Sequence, residues 1–194
     1  MISTSSLPFT PSGNEIALSH SNTPFISTYP WSAGFGTKYA NPATLPPDDC
    51  QDVAFTPSGN AIAVVSSVAN YILAYPWSAG FGTKYADPAT LPGSSAYGVA
   101  FTPSGNAIAV AHGASPYINT YPWSAGFGTK YADPATLPSD TSTSVAFNST
   151  GNAIALGNAV SPYVLAYPWS SGFGTKYADP ATLPTGTGNG VTYI

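Results

Sequence analysis

Imidazoles, thiols and carboxylates carry most acid-base, nucleophilic and metal chemistry in proteins, and this chain holds few of them. His20 and His112 are the only histidines. They stand 92 residues apart at equivalent positions of an internal repeat, with Ser66 and Asn158 in the other two copies. A metal pair needs adjacent ligands, and equivalent atoms two repeats apart are distant unless both approach a shared axis. They read as loop or strand-end polar residues. Cys50 is the one cysteine, which excludes an intrachain disulfide and a Cys-rich metal site. The acidic residues beside it disfavour its thiolate. Asp48, Asp49 and Asp52 form the single acidic cluster, but without EF-hand spacing they read as a solvated loop. Glu15 is the only glutamate. A Ser-His-Asp or Cys-His constellation has almost no candidates, so the expectation is a protein that is not an enzyme, with no catalytic residue, metal or cofactor.

Composition narrows the class further. Only 6% of the 194 residues are charged, eight acidic against four Lys, for a formal net charge of -4. An electrostatic nucleic-acid binder is excluded. A chain that is 43% hydrophobic and 13% aromatic should fold, and one of this length buries about 70% of the surface its unfolded form exposes. No apolar run approaches the ~20 residues that span a bilayer as a helix, and the N-terminus does not read as a signal peptide. No membrane insertion is expected; localisation stays open.

Those sparse groups sit on a repeat. Trp31, Trp77, Trp123 and Trp169 recur every 46 residues, as do Lys38, Lys84, Lys130 and Lys176. Units of about 1–46, 47–92, 93–138 and 139–184 leave ten residues, TGTGNGVTYI, in phase with the first ten, which places Val191 under Val53, Val99 and Val145. Within a unit, GVAF, TPSGN and AIAVA read as strand, turn and strand, with period two. Pro103 and Gly105 suit a tight turn. A third run ends at Pro122, and a fourth is expected around Gly128 to Ala132. A four-stranded unit of this period predicts an all-β propeller: four blades of four antiparallel strands, plus one extra inner strand at Val191 to Ile194.

Val99-Ala-Phe-Thr-Pro-Ser-Gly-Asn-Ala-Ile-Ala-Val and its copies resemble the inner strand, turn and second strand of WD40-type repeats over roughly the first 27 residues of each unit. The unit lacks a Gly-His pair, and Tyr-Pro-Trp-Ser stands where the family has Trp-Asp, so the resemblance implies blade geometry and a scaffold role without the family's polar network. The PWSAGFGTKYA segment is similar to repeats of uncharacterised phage-encoded propeller-like proteins. That likeness implies a virion or extracellular surface setting.

Trp31, Trp77, Trp123 and Trp169 fit either packing between blades or a stacking platform for planar-faced ligands; their equally repeated neighbours favour packing. The Lys residues and the Asp or Asn three positions on read as exposed pairs that contribute ~0 to 1 kcal/mol. Two segments vary between units: the link from second to third strand, and the link to the next blade. Both should emerge on one face, which makes that face the candidate ligand site, through His20, Asp48, Asp49, Tyr97, His112, Asp140 and Asn158. The ligand would be a protein or a glycan, the latter held as by a multivalent lectin; a propeller-type hydrolase or lyase is a remoter alternative. Four blades leave open faces, so the expected partner is a second copy, making a homodimeric ring of eight blades. Val191, Tyr193 and Ile194 would close it by exchange onto the partner strand at Ile16 to Leu18, so deleting 186–194 should weaken the dimer more than deleting 1–6.

Overall fold

Successive residues of a strand point to opposite faces, so the Ala-Ile-Ala-Val pattern gives each sheet one face of small side chains and one of large. The computed structural model describes residues 9–193, with eleven strands and no helix among them. They are β1 (Glu15–Ser19), β2 (Ile26–Pro30), β3 (Cys50–Phe55), β4 (Ala61–Ser66), β5 (Ile72–Pro76), β6 (Ala96–Phe101), β7 (Ala107–His112), β8 (Ile118–Pro122), β9 (Ser142–Phe147), β10 (Ala153–Asn158) and β11 (Val164–Pro168). Each forms part of an antiparallel meander: β3-β4-β5, β6-β7-β8 and β9-β10-β11 are three-stranded, and β1-β2 is a two-stranded sheet to which Phe9 adds a bridge at Ile16.

The large face of each sheet packs on the small face of the one before it. Ile62, Val64, Leu73, Tyr75 and Trp77 cluster with Ala17 and Ile26 of the first sheet. The opposite face of that sheet, with Ala61, Ala63 and Ala74, packs against Ile108, Val110, Tyr121 and Trp123 of the third. Ala107 and Ala109 then meet Ile154, Leu156, Tyr167 and Trp169 of the fourth. Alanine on one side lets neighbouring sheets approach closely while the bulky side fills the gap. Stacking in one direction leaves two unlike ends. The first sheet shows large residues outward, including Leu18 at 57% exposure and, beyond β2, Phe35 at 67%; the last shows half-exposed Ala153 and Ala166, with Tyr177 49% exposed.

The hairpin turns are closed by their own side chains. In the third unit Gly105 N–H donates to Thr102 O at 2.8 Å, and Ala107 N–H donates to Thr102 Oγ1 at 3.0 Å, with Gly105 at φ 71°. Asn148 replaces that threonine in the fourth unit, and its Oδ1 accepts from Asn152 N–H and Ala153 N–H.

Two expectations are corrected. The fourth strand around Gly128 to Ala132 does not form: a Trp123–Phe127 bridge, Gly128 N–H to Pro122 O and Tyr131 N–H to Thr120 O tether an otherwise irregular segment. Ala125 at φ 51° and Gly126 at φ 138° reverse the chain too sharply for a ladder, and Pro134 and Pro138 end any further pairing. Three of the described sheets therefore have three strands and the first has two with a bridge from Phe9, rather than four each. Nor is there an extra strand at the C-terminal end of the described residues, because 191–193 pair with nothing as a ladder. The place at Ile16 is taken by Phe9 of the same chain, whose ring lies 5.6 Å from Trp31, edge to face. Ile194 and residues 1–8 lie outside the described residues.

Candidate functional site

The two variable links do lie side by side. Ser67 N–H donates to Asp49 O at 3.0 Å, Gly113 N–H to Ser95 O at 3.1 Å and Ala159 N–H to Thr141 O at 2.9 Å. In each case a loop leaving the second strand is bonded to the link that enters the same blade. The side chains proposed from sequence divide into two groups there. Asp48 is exposed, and Asp49, Tyr97, Asp140 and His20 are partly so. Asp48 Oδ1 accepts from Asp49 N–H, Asp49 Oδ2 from Gln51 Nε2, and Asp140 Oδ1 from Thr141 N–H, so each carboxylate partly closes its own turn.

His112 and Asn158 are fully buried and offer nothing to a ligand arriving at this face. They end β7 and β10 on the inward side. His112 Nε2 lies 3.2 Å from Asn119 Oδ1, and burial holds the imidazole below its ordinary pKa. Asn158 Nδ2 donates to Ser139 Oγ and Val160 O. His20 instead meets Ser27 Oγ at 3.0 Å within the first blade. Among the described residues no three His, Cys, Asp or Glu side chains gather as a metal site.

Asp52 does not belong with Asp48 and Asp49. Its carboxylate is buried in β3, accepting from Val53 N–H at 2.9 Å and, across the sheet boundary, from Val99 N–H of β6 at 3.0 Å. Cys50 is buried too. Its thiol is pushed up to about 12, by desolvation first and by Asp49 and Asp48 after it. Folded protein should therefore resist iodoacetamide at pH 8, while protein unfolded in guanidinium is alkylated rapidly; equal rates measured by mass spectrometry would contradict this burial.

The tryptophans stand at the sheet boundaries. Trp77 is buried in a box made by Tyr39 of the preceding unit (5.3 Å, 87°), Phe55 and Phe81. Tyr85, Phe101 and Phe127 surround Trp123, and Tyr131, Phe147 and Phe173 surround Trp169, at matching distances. Among the described residues Trp31 meets two rings, Phe9 and Phe35, and is correspondingly more exposed. Tyr177, the equivalent tyrosine of the fourth unit, is 49% exposed. Glu15 enters one of these boxes: its Oε2 accepts from Trp77 Nε1–H at 2.7 Å and its Oε1 from Tyr39 O–H at 3.2 Å. Burial and the Glu15 charge and hydrogen bond hold the Tyr39 phenol above its ordinary pKa.

Phe9, Phe55, Phe101, Phe147 and Tyr193, one residue from each of five successive copies, line a cavity of about 270 Å³. Tyr193 thus follows the aromatic series even without a ladder, and burial raises its phenol pKa, with Tyr177 adding to the shift.

No protein-family model and no curated protein sequence matches the chain. Solved structures do. Sqt1 of Chaetomium thermophilum, bound to the N-terminus of the ribosomal protein L10, is 20% identical at a TM-score of 0.65, over 88% of this chain and 46% of that one. A second structure of Sqt1 gives 21% and 0.65, covering 88% and 44%. Hydrazine synthase of Kuenenia stuttgartiensis gives 13% and 0.63, over 85% and 47%. Sqt1 is a WD40 β-propeller protein, and hydrazine synthase has β-propeller domains. At these identities the likeness establishes fold alone: the architecture is propeller-like, and the chain spans less than half the length of the chains it matches.

Proposed function

We propose that this chain is a non-enzymatic propeller scaffold, completed into an eight-bladed ring by a second copy, which presents its variable-loop face to a protein ligand. The observation that carries the ring is the pair of unlike end faces. Every internal boundary sets a small face with a Tyr against a large face with a Trp, and the outer faces of the first and last described sheets leave one half of each uncovered, Trp31 with Phe35 on one and Tyr177 on the other. A second copy turned about a two-fold axis would supply both missing halves.

The ligand side of the reading rests on the exposed Asp48 and the partly exposed Asp49, Tyr97 and Asp140 on variable loops, and on Sqt1, which holds a protein N-terminus on a similar fold. Acidic loops favour a neutral or cationic segment. The likeness of PWSAGFGTKYA to phage-encoded repeats adds a particle-surface setting. Light scattering on the purified chain should return about twice its 19.8 kDa mass; a monomer persisting at high concentration overturns the ring. Screening against peptide and glycan arrays then tests the ligand class, and glycan binding at several equivalent loops would replace the protein ligand with a lectin role.

A further inference from the structure

We propose that the boundary between the second and third blades holds a binding pocket for a carboxylate carried on a short aliphatic stem. The first boundary shows the arrangement filled: the Glu15 carboxylate lies between Trp77 Nε1–H and Tyr39 O–H. At the next boundary the same two donors recur in the same relation. Tyr85 and Trp123 stand at 5.4 Å and 90°, against 5.3 Å and 87° for Tyr39 and Trp77. The position of Glu15, however, is occupied by Ala61. A pocket of about 150 Å³ opens beside these two rings, lined by Tyr85 and Trp123 with Thr56, Ser58, Asn60 and Ser104.

The Trp123 indole N–H and the Tyr85 hydroxyl have no hydrogen-bond partner among the described residues, and neither is one of the fully buried unpartnered polar atoms, so both stay open to an incoming acceptor. Two neutral donors on residues that line one pocket suit an acceptor with two oxygens, and a charged acceptor strengthens both bonds. No lining residue is acidic, so an incoming carboxylate meets no like charge in the pocket wall. The third boundary repeats the donors as Tyr131 and Trp169 (5.4 Å, 87°), with Ala107 in the Glu15 position. The occupant is a short free carboxylic acid or the side chain of a glutamate in a peptide; the chemistry at the donors is the same. The pocket does not depend on ring closure by a second copy.

The four indole N–H resonances of the 15N-labelled chain test this directly, with Trp123→Phe used to assign one of them. Propionate is the Glu15 side chain freed from its backbone. Added at tens of millimolar, it should move the Trp123 and Trp169 resonances saturably and leave Trp77, already bonded to Glu15, in place. Acetyl-Glu-amide against acetyl-Gln-amide separates the sources: a response to the Glu compound alone assigns the pocket to acidic peptide side chains, and a response to propionate as well admits free acids. Glu15→Ala should make Trp77 respond, and Ala61→Glu should silence Trp123. The proposal is overturned if Trp123 ignores both carboxylates, if it shifts in step with Trp77, or if the Gln compound acts as strongly as the Glu compound.

Discussion

Trp123→Ala should lower the stability of the folded chain by about 3 to 5 kcal/mol, the usual cost of truncating a buried Trp to Ala. The indole is 7% exposed and meets three rings edge to face, Tyr85 at 5.4 Å, Phe101 at 5.2 Å and Phe127 at 5.1 Å. Edge-to-face pairs add about 0.5 to 1.5 kcal/mol each beyond the area they bury. Because Tyr85 comes from the preceding unit, the substitution opens a cavity at a boundary rather than within one sheet, and cooperativity between blades should suffer. For a chain of this size each kcal/mol moves Tm by about 2 to 4 °C, so calorimetry should show a fall of roughly 10 °C. Trp31→Ala, with two ring neighbours and greater exposure, should cost roughly 1 to 2 kcal/mol. A melting curve unchanged by Trp123→Ala, together with loss of ligand binding, would instead make the tryptophan a surface platform.

The alternating strands, their turns and the boundary role of large and small faces can be traced to particular residues. Ile62 and Val64 against Ala61 and Ala63 announce a two-faced strand, and Thr102 to Asn106 announce its turn. The fourth strand expected around Gly128 to Ala132 rests on a recurring segment between turn residues, which a tethered irregular segment satisfies as well as a strand does. What breaks it is the reversal at Ala125 and Gly126, and a positive φ at a non-glycine residue leaves no mark in composition. His112 and Asn158 resembled loop residues for a related reason. They follow the last apolar residue of a strand, and only the path of the next link, which covers them, decides that they face inward. Glu15 and Asp52 were legible in principle. Glu15 stands where the other units carry Ala61, Ala107 and Ala153, and Asp52 where they carry Gly98 and Ser144. A lone charge at an otherwise small, buried repeat position is a signal of a partner across the boundary.

Asp52 and Glu15 also show how nearly equal units are made unequal. Gly98 occupies the Asp52 position one unit later, and a Cβ there would come within 2.9 Å of Ser144 Cα. The sheets at that boundary therefore touch backbone to backbone, where the preceding boundary is bridged by the Asp52 carboxylate reaching Val99 N–H. One boundary closes by contact and the other by a charge-assisted hydrogen bond. The same repeated scaffold thus accommodates different side chains at equivalent points, which is the condition for binding sites that differ between blades.

Substituting a carboxylate into either end face should convert the ring to monomers of 19.8 kDa. In a two-chain ring both junctions pair the Tyr177 end of one copy with the Trp31 and Phe35 end of the other, so Tyr177→Asp alone and Phe35→Asp alone each spoil both junctions. Each removes an aromatic ring from the box that the junction would complete and puts a short hydrated carboxylate in its place, so the edge-to-face contacts and apolar burial of the junction are lost. Neither residue contributes to an internal boundary core cluster, so thermal unfolding of the monomer should change little. Association of like faces gives another result: if Tyr177 ends met one another, Phe35→Asp would remain dimeric. The chain termini add a second comparison. Phe9 already sits on Trp31 and bridges Ile16, whereas Tyr193 belongs to the copy that would contest that place when the ring closes. Deleting 189–194 should therefore leave the dimer intact or tighten it, and deleting 1–10 should weaken it. The reverse order, measured by sedimentation of the two truncations, would mean that the C-terminal copy displaces Phe9 and closes the first blade from the other chain.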